Sequence, residues 1–312
     1  MENNFTTMTI SGGRAVLLAA VAGALWGSSG MVMRYLGDYG LTAAEISTLR
    51  LLVSALALLV YLLLGDRRRL AIPYQRIPIM MGMGFGCLFV FSWCYALAVT
   101  RISLSLTVVL VYTSPMLVML MSIRLFHEAL TRAKLAALIL FFCGCCLVAG
   151  VFSSKVHYSW TGIASALLAA LLYALYAVLA KLETRHTAPN TLMAWTFIFG
   201  AAGGLMVIDL GHCIAMLIAA PKALAWMVVA GLLNTALPYM CYTRALAGLE
   251  AGKAALTASV EPLVATLLGV VVFHEPLTLS AMTGMVLILS GLLVMNRPTA
   301  AKPALPPGVP LP

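Results

Sequence analysis

A carboxylate at Glu261 and a guanidinium at Arg50 each fall inside an apolar run long enough to cross a bilayer. A charged side chain at mid-depth costs roughly 2.5–3.5 kcal/mol if it faces lipid, so such groups turn to a protein interior or a water-filled space. Glu261 continues a stripe of small residues, Ala254, Thr257, Ala258 and Ala265, at three- and four-residue spacing. Pro262 follows it and leaves one backbone carbonyl without its helical donor. An acid in that setting suits the wall of a hydrated cavity, as a proton carrier or as counter-ion to an ammonium group. The competing role is a structural ion pair. Arg50 is the natural partner for that pair, lying within about 8 Å of Glu261 in depth when helix rise is counted from each run's centre. Arg50 could equally hold a substrate carboxylate.

Trp26, Tyr95, Tyr112, Tyr173, Tyr176, Tyr239 and Tyr242 are the aromatic candidates for the same wall. A buried Tyr or Trp seeks a hydrogen-bond partner that lipid tails lack, which favours inward positions, although each also serves as ordinary packing. Tyr173 and Tyr176 share a helix face, as do Asn234, Pro238, Cys241 and Tyr242. Pro115 and Pro262 are helix-break candidates, and interrupted spans expose backbone groups at many transporter binding sites. Trp160 and Trp226 suit interface anchoring. The seven cysteines form no C-x-x-C pair and have no flanking His pattern, so neither a metal nor a cofactor is expected. No H-E-x-x-H, G-x-S-x-G or Walker sequence is present, and no catalytic residue is assigned. Energy for any transport would come from a gradient.

The elements that must position these residues are membrane helices. Apolar residues make up 62% of the 312 positions and charged ones 9%, against about 25% charged in soluble domains. Lipid must be the main solvent. The formal charge of +9 comes from scattered Lys and Arg with no basic stripe, which argues against a nucleic-acid partner. Apolar runs fall near 15–36, 43–64, 78–98, 102–125, 132–152, 160–181, 190–210, 223–246, 253–273 and 277–296. Gly23/Gly27, Gly82/Gly86 and Gly200/Gly204 repeat the small-xxx-small spacing of close helix packing. With the N-terminus in the cytoplasm, fourteen Lys and Arg of the connections fall inside, and only Arg34, Arg101, Lys155 and Lys222 outside. Both termini are therefore expected in the cytoplasm, bracketed by a polar segment 1–13 and a disordered Pro-rich tail 298–312.

One internal shift recurs. Phe126-His127-Glu128-Ala129-Leu130-Thr131 returns 147 residues later as Phe273-His274-Glu275-Pro276-Leu277-Thr278. The same shift pairs Cys94-Tyr95 with Cys241-Tyr242, Pro115 with Pro262, Gly144 with Gly291, Trp26 with Tyr173 and Arg34 with Lys181. Residues 91–150 and 238–297 share 12 identities in 60 without a gap. Two five-span copies, 14–152 and 157–297, must enter the membrane from opposite sides, because five is odd. The expected fold is all-α and integral to the membrane: ten transmembrane helices as two inverted five-helix repeats around a central cavity.

Ala24-Leu25-Trp26-Gly27-Ser28-Ser29, Arg50-Leu51-Leu52, Ser259-Val260-Glu261-Pro262-Leu263-Val264 and the two Phe-His-Glu-x-Leu-Thr blocks resemble signatures of the drug/metabolite transporter superfamily, EamA type. The resemblance spans roughly residues 14–297. It implies a ten-helix exporter with the fifth and tenth helices peripheral, moving small metabolites, often amino acids, or drugs. Where that family more often carries Gly before the motif's Glu, this chain has His127 and His274; the pairs His127-Glu128 and His274-Glu275 are expected in turn and capping roles. The expected function is secondary export of a small polar or zwitterionic metabolite, an amino acid first of all, across the cell inner membrane, with protons as the candidate coupling ion. A multidrug or cationic-compound exporter is the alternative, and a lipid flippase or membrane scaffold a more distant one.

Overall fold

The computed structural model describes residues 11–65, 67–151 and 159–297. Residues 1–10 of the expected polar segment and the expected tail 298–312 lie outside that description. Helices α1 (Gly12–Gly37), α2 (Ala43–Gly65), α3 (Tyr74–Arg101), α4 (Leu104–Phe126), α5 (Arg132–Val148), α6 (Trp160–Glu183), α7 (Pro189–Leu205), α8 (Pro221–Gly248), α9 (Ala251–Phe273) and α10 (Leu279–Asn296) account for most of the described residues. Eight of them are long and apolar enough to cross a membrane. The seventh run does not continue as one rod: after α7 the chain bends by 102° into a short helix, Leu210–Ala219, and the pair together passes as a ninth span. Asp209 starts that short helix by accepting the backbone N–H of His212, in its first turn, at 2.9 Å. Helix α5, with 17 residues, rises only about 25 Å and falls short of the ~30 Å hydrocarbon thickness. The protein is a multi-span membrane protein, and its outer surface is set for lipid: Leu56, Val60, Leu168, Val271, Val286 and Leu293 all point outward unshielded.

Helix contacts obey the 147-residue correspondence. Helix α3 packs on α6 as α8 packs on α1; α7 packs on α3 as α2 packs on α8; α4 packs on α6 as α9 packs on α1. Three self-equivalent pairs also meet: α2 with α7, α5 with α10 and α4 with α9. Such a contact pattern is what two inverted repeats give when they share a pseudo-two-fold axis. Helices α5 and α10 lean mainly on each other through Gly144, Gly284 and Gly291, where an added Cβ would meet backbone at 2.6–2.8 Å.

Glycine placement matches the expected stripes in two cases and departs from the third. Gly23 and Gly27 let α1 touch the backbone of α9, and Gly200 and Gly204 sit against Gly84 and Thr48. Gly82 and Gly86, by contrast, face open space, and the close contact is made by Gly84, whose Cβ would lie 2.3 Å from the carbonyl oxygen of Thr196. The cause is the helix type. Gly82–Val90 is a π-helical turn, and its extra residue per turn rotates the face that a regular α-helix would present.

The Phe-His-Glu motif closes α4 and α9 in the same way. His127 and His274 both adopt left-handed backbone, φ 53° with ψ 33° and 32°, and the next residue's N–H reaches back to Ser122 or Gly269. These are glycine-type helix caps made with a histidine, at roughly 1 kcal/mol of backbone strain each. His127→Gly and His274→Gly are each expected to raise stability by about 0.5–1 kcal/mol. A rise in the thermal midpoint of the detergent-purified protein checks this, and a fall would count against it.

Candidate functional site

Two matched interruptions create the site. Helix α4 breaks at Tyr112–Thr113, just before Ser114-Pro115, and α9 breaks at Ser259–Val260, just before Glu261-Pro262. Each proline sits in the first turn of the following half-helix, where its missing N–H leaves nothing unpaired. Glu261 is thereby the first residue of a half-helix, at the positive end of its dipole. Its repeat equivalent is Ser114, so the charge is carried by one side of the pseudo-symmetry only. Helices α3 and α8 carry matched π-helical turns, Gly82–Val90 and Leu232–Ala236, a rare distortion that recurs at functional sites.

Helix α1 is interrupted too, at Ser28 between Gly27 and Ser29. Asn234, in the π-turn of α8, holds that interruption: its amide nitrogen donates to the Leu25 carbonyl at 2.8 Å and to the Ser28 hydroxyl at 2.6 Å. Asn234 is therefore a buried latch rather than an exposed cavity residue. Asn234→Leu would strand both acceptors, and a loss of about 1–3 kcal/mol in stability is expected, measured as a lower unfolding midpoint.

Trp26 sits beside this break with ring contacts to Tyr173 (6.3 Å), Tyr239 (5.0 Å) and Tyr242 (5.4 Å). The first of these joins the two repeat-equivalent aromatics face to edge across the axis. Tyr176 and Tyr242 are fully buried; the Tyr176 hydroxyl donates to Met193 Sδ at 3.2 Å. These two back the aromatic wall instead of lining it. Tyr95, Tyr112, Tyr173 and Tyr239 are half-buried, and all four lie within electrostatic range of the Glu261 carboxylate. Tyr112 also packs its ring on Phe141 of α5 at 5.9 Å.

Arg50 and Glu261 feel each other's charge, yet no ion pair or hydrogen bond joins them among the described residues. Both are half-buried, Arg50 about a third of the way along α2 and Glu261 near the middle of α9, and of the two roles offered the structural pair is not formed. The turn of α2 that carries Arg50 is fixed from behind. Ser54 bridges the carbonyls of Arg50 and Gly231 at 2.7 Å each, and Gly231 lets α8 come close because a Cβ there would strike Val53 at 2.4 Å. Ser54 and Gly231 carry no motif in the sequence, and Ser28 stands there only within the Ala24–Ser29 block. Their only signal is a small residue where helices touch, and a chain with 25 glycines offers that signal in many places. Buried polar atoms without a partner, Ser29 Oγ, Arg50 Nε, Asn234 Oδ1 and Tyr242 Oη, belong to α1, α2 and α8, which meet here. Such atoms each cost about 1–3 kcal/mol unless water or a ligand meets them.

A membrane bundle of two equivalent halves, with broken helices presenting unpaired charges and aromatic rings within the spans, has the architecture of a transporter. The profile of the EamA-like transporter family matches residues 13–150 and again 160–297. The chain belongs to that family and is a transporter of its kind. It is similar to the uncharacterized transporter YwfM of Bacillus subtilis, 25% identical over 90% of this chain and 93% of that protein. It is also similar to an uncharacterized transporter of Archaeoglobus fulgidus, 23% identical over 90% of this chain and 98% of that one. A protein of known crystal structure shares the fold with a TM-score of 0.78, at 17% identity, over 91% of this chain and 96% of that one.

Proposed function

We propose that the protein exports a small zwitterionic metabolite, an amino acid in the first instance, across the cytoplasmic membrane. The observation that carries this is the separation of Arg50 and Glu261: opposite charges within reach of each other's field, each half-buried, and unpaired. A substrate carboxylate placed at the guanidinium and its ammonium placed at Glu261 would complete both. Arg suits the first role because its planar fork meets a carboxylate with two hydrogen bonds. Trp26, Tyr173 and Tyr239 would flank the ammonium with ring faces, as aromatic residues flank cations elsewhere.

Alternating access of the two repeats moves the substrate. The charge balance of the connections supports an orientation with both termini and the Lys181 end in the cytoplasm. Exchange of one proton per substrate would supply ~2.3 kcal/mol for each 100 mV, enough for a roughly 40–50-fold gradient. Proteoliposomes with an imposed pH step test the coupled form. Amino-acid flux is expected to follow the step in the wild type. Flux indifferent to the step in both the wild type and Glu261→Gln would contradict it. The aromatic cluster around Trp26 favours one second reading, a cationic-compound exporter with Glu261 as counter-ion. That reading predicts that Arg50 is dispensable.

A further inference from the structure

The two ends of the bundle carry the same ionic device in two different conditions. At one end Lys181 of α6 pairs with Glu128, just after α4, at 3.2 Å, and both side chains are largely buried, 14% and 8% exposed. Glu128 also accepts the backbone N–H of Ala251 at 2.8 Å, capping the first half of α9, and Lys181 donates to the carbonyl of Leu249. The ammonium lies 5.2 Å above the Phe126 ring. At the opposite end Arg34 pairs with Glu275 at 3.0 Å, and its guanidinium lies 4.2 Å above Phe273. Arg34 and Lys181, Glu275 and Glu128, and Phe273 and Phe126 are each 147 residues apart. Here, however, the pair is half exposed, 54% and 51%, and bonds to nothing on α4.

Helix packing shows the same asymmetry. The half-helix Ala251–Ala258 packs along Ser114–Phe126, and a Cβ added at Gly252 would lie 3.5 Å from Met119 Cα. The equivalent halves, Leu104–Val111 and Glu261–Phe273, scarcely touch. The first repeat's lock is thus engaged on α9, while the second repeat's lock is formed but not engaged on α4. Two further ion pairs, Arg76 with Glu183 at 2.9 Å and Lys134 with Glu250 at 2.6 Å, stand at the engaged end only. Their equivalents at the other end, 147 residues away, are uncharged: Ala223, Leu36, Ala281 and Ser103.

We propose that Lys181–Glu128 and Arg34–Glu275 are reciprocal gate locks, each engaging the N-terminal half of the opposite repeat's broken helix in turn. In the state seen here the Lys181 end is locked. In the opposite state Glu275 caps Leu104 and Arg34 donates to Ile102, the equivalents of Ala251 and Leu249. The unmatched pairs Arg76–Glu183 and Lys134–Glu250 bias the chain toward the present state. These residues position the halves of the bundle and touch no substrate. The inference rests on the alternating-access reading above.

Sided labelling of a chamber cysteine tests it without knowledge of the substrate. Tyr95→Cys, in the full chain with its native cysteines, is treated in right-side-out and inverted vesicles with a membrane-impermeant cationic thiosulfonate, and labelling of the parent chain is subtracted. One-sided labelling, from the Arg34 end, is expected. Lys181→Met, which keeps the contact with Phe126 but removes the charge, should raise labelling from the locked side by roughly tenfold or more. Lys181→Arg, which copies the residue at position 34, should restore sidedness. Arg34→Met should leave it unchanged. If Lys181→Met does not accumulate in membranes, Glu128→Gln keeps the cap on Ala251 without the charge and should act in the same way. Sidedness unmoved by Lys181→Met or Glu128→Gln overturns the lock, as does Lys181→Arg behaving like Lys181→Met. Labelling of Tyr95→Cys from neither side would instead remove the chamber, and with it the transport reading.

Discussion

Glu261→Gln is expected to abolish transport of the native substrate while leaving the bundle folded. The amide keeps the size of the side chain and its place at the start of the second half of α9, so no cavity is opened and the Pro262 turn is unaffected. Under the proposed function, what is lost is the full charge that would face the substrate's ammonium beside Trp26, Tyr173 and Tyr239. Removing one partner of a desolvated charge pair costs about 2–5 kcal/mol, a roughly 30-fold to few-thousand-fold loss of affinity. Counterflow of radiolabelled substrate in proteoliposomes measures it, with the thermal midpoint as control for folding. Retained counterflow in Glu261→Gln would assign the carboxylate to structure. A collapsed midpoint would do so as well.

The second large effect is expected at Gly23. A Cβ there would lie 1.9 Å from the Ala258 carbonyl oxygen, 2.7 Å from its carbon and 2.8 Å from Val260 Cγ1. Two of those atoms are backbone at the break of α9 and cannot swing aside. Gly23→Ala must therefore push α1 away from that break, at a cost of at least about 1–3 kcal/mol from overpacking. The same shift moves Gly27, where an added Cβ would lie 2.6 Å from the carbonyl oxygen of Glu261, and so disturbs the residue that carries the carboxylate. Loss of transport and a lower thermal midpoint are both expected. Gly82→Ala is the contrasting substitution, because nothing lies within 4 Å of its Cβ. It should leave both quantities near the wild type. Similar losses at the two positions would show that helix flexibility, rather than close approach, governs the effect of Gly23.

Those two glycines show what the sequence could carry. Both belong to small-xxx-small pairs of the same kind, and composition gives no means of telling them apart. The difference lies in the π-turn of α3, which rotates Gly84 into the interface and Gly82 out of it. A π-turn is set by backbone strain and neighbouring packing, and it leaves no periodic trace in an apolar run. Features that depend on residue type were legible. The matched prolines mark the two breaks, the Phe-His-Glu blocks mark equivalent helix ends, and the ionisable residues in apolar runs mark the candidate site. The left-handed backbone at both histidines follows the glycine-like turn that the motif implies.

Features that depend on which helices meet were not legible. Depth counting made Arg50 a natural partner for Glu261, but depth is one coordinate of three, and no ion pair joins the two among the described residues. The bend after Leu205 escaped notice because Met206, Val207 and Ile208 continue the apolar run through the turn. Asn234 shares a helix face with Tyr242 in the sequence, but nothing there shows that its side-chain nitrogen is taken up by the break in α1. Arg76–Glu183 joins residues 107 apart, and no local pattern announces it.

The most direct test of the central claim, that Arg50 and Glu261 hold opposite ends of a zwitterion, is ligand-induced thermal stabilisation of the purified protein. The ligands are free α-amino acids, their methyl esters and their N-acetyl derivatives. A ligand at a hundred times its Kd adds about 2.7 kcal/mol to stability, well within the reach of such a measurement. At least one free amino acid should stabilise the wild type, its ester and its N-acetyl form should do so much less, and Arg50→Met should erase the preference for the free acid over the ester. Equal stabilisation by ester and free acid in both the wild type and Arg50→Met, or none by any amino acid, would contradict the account.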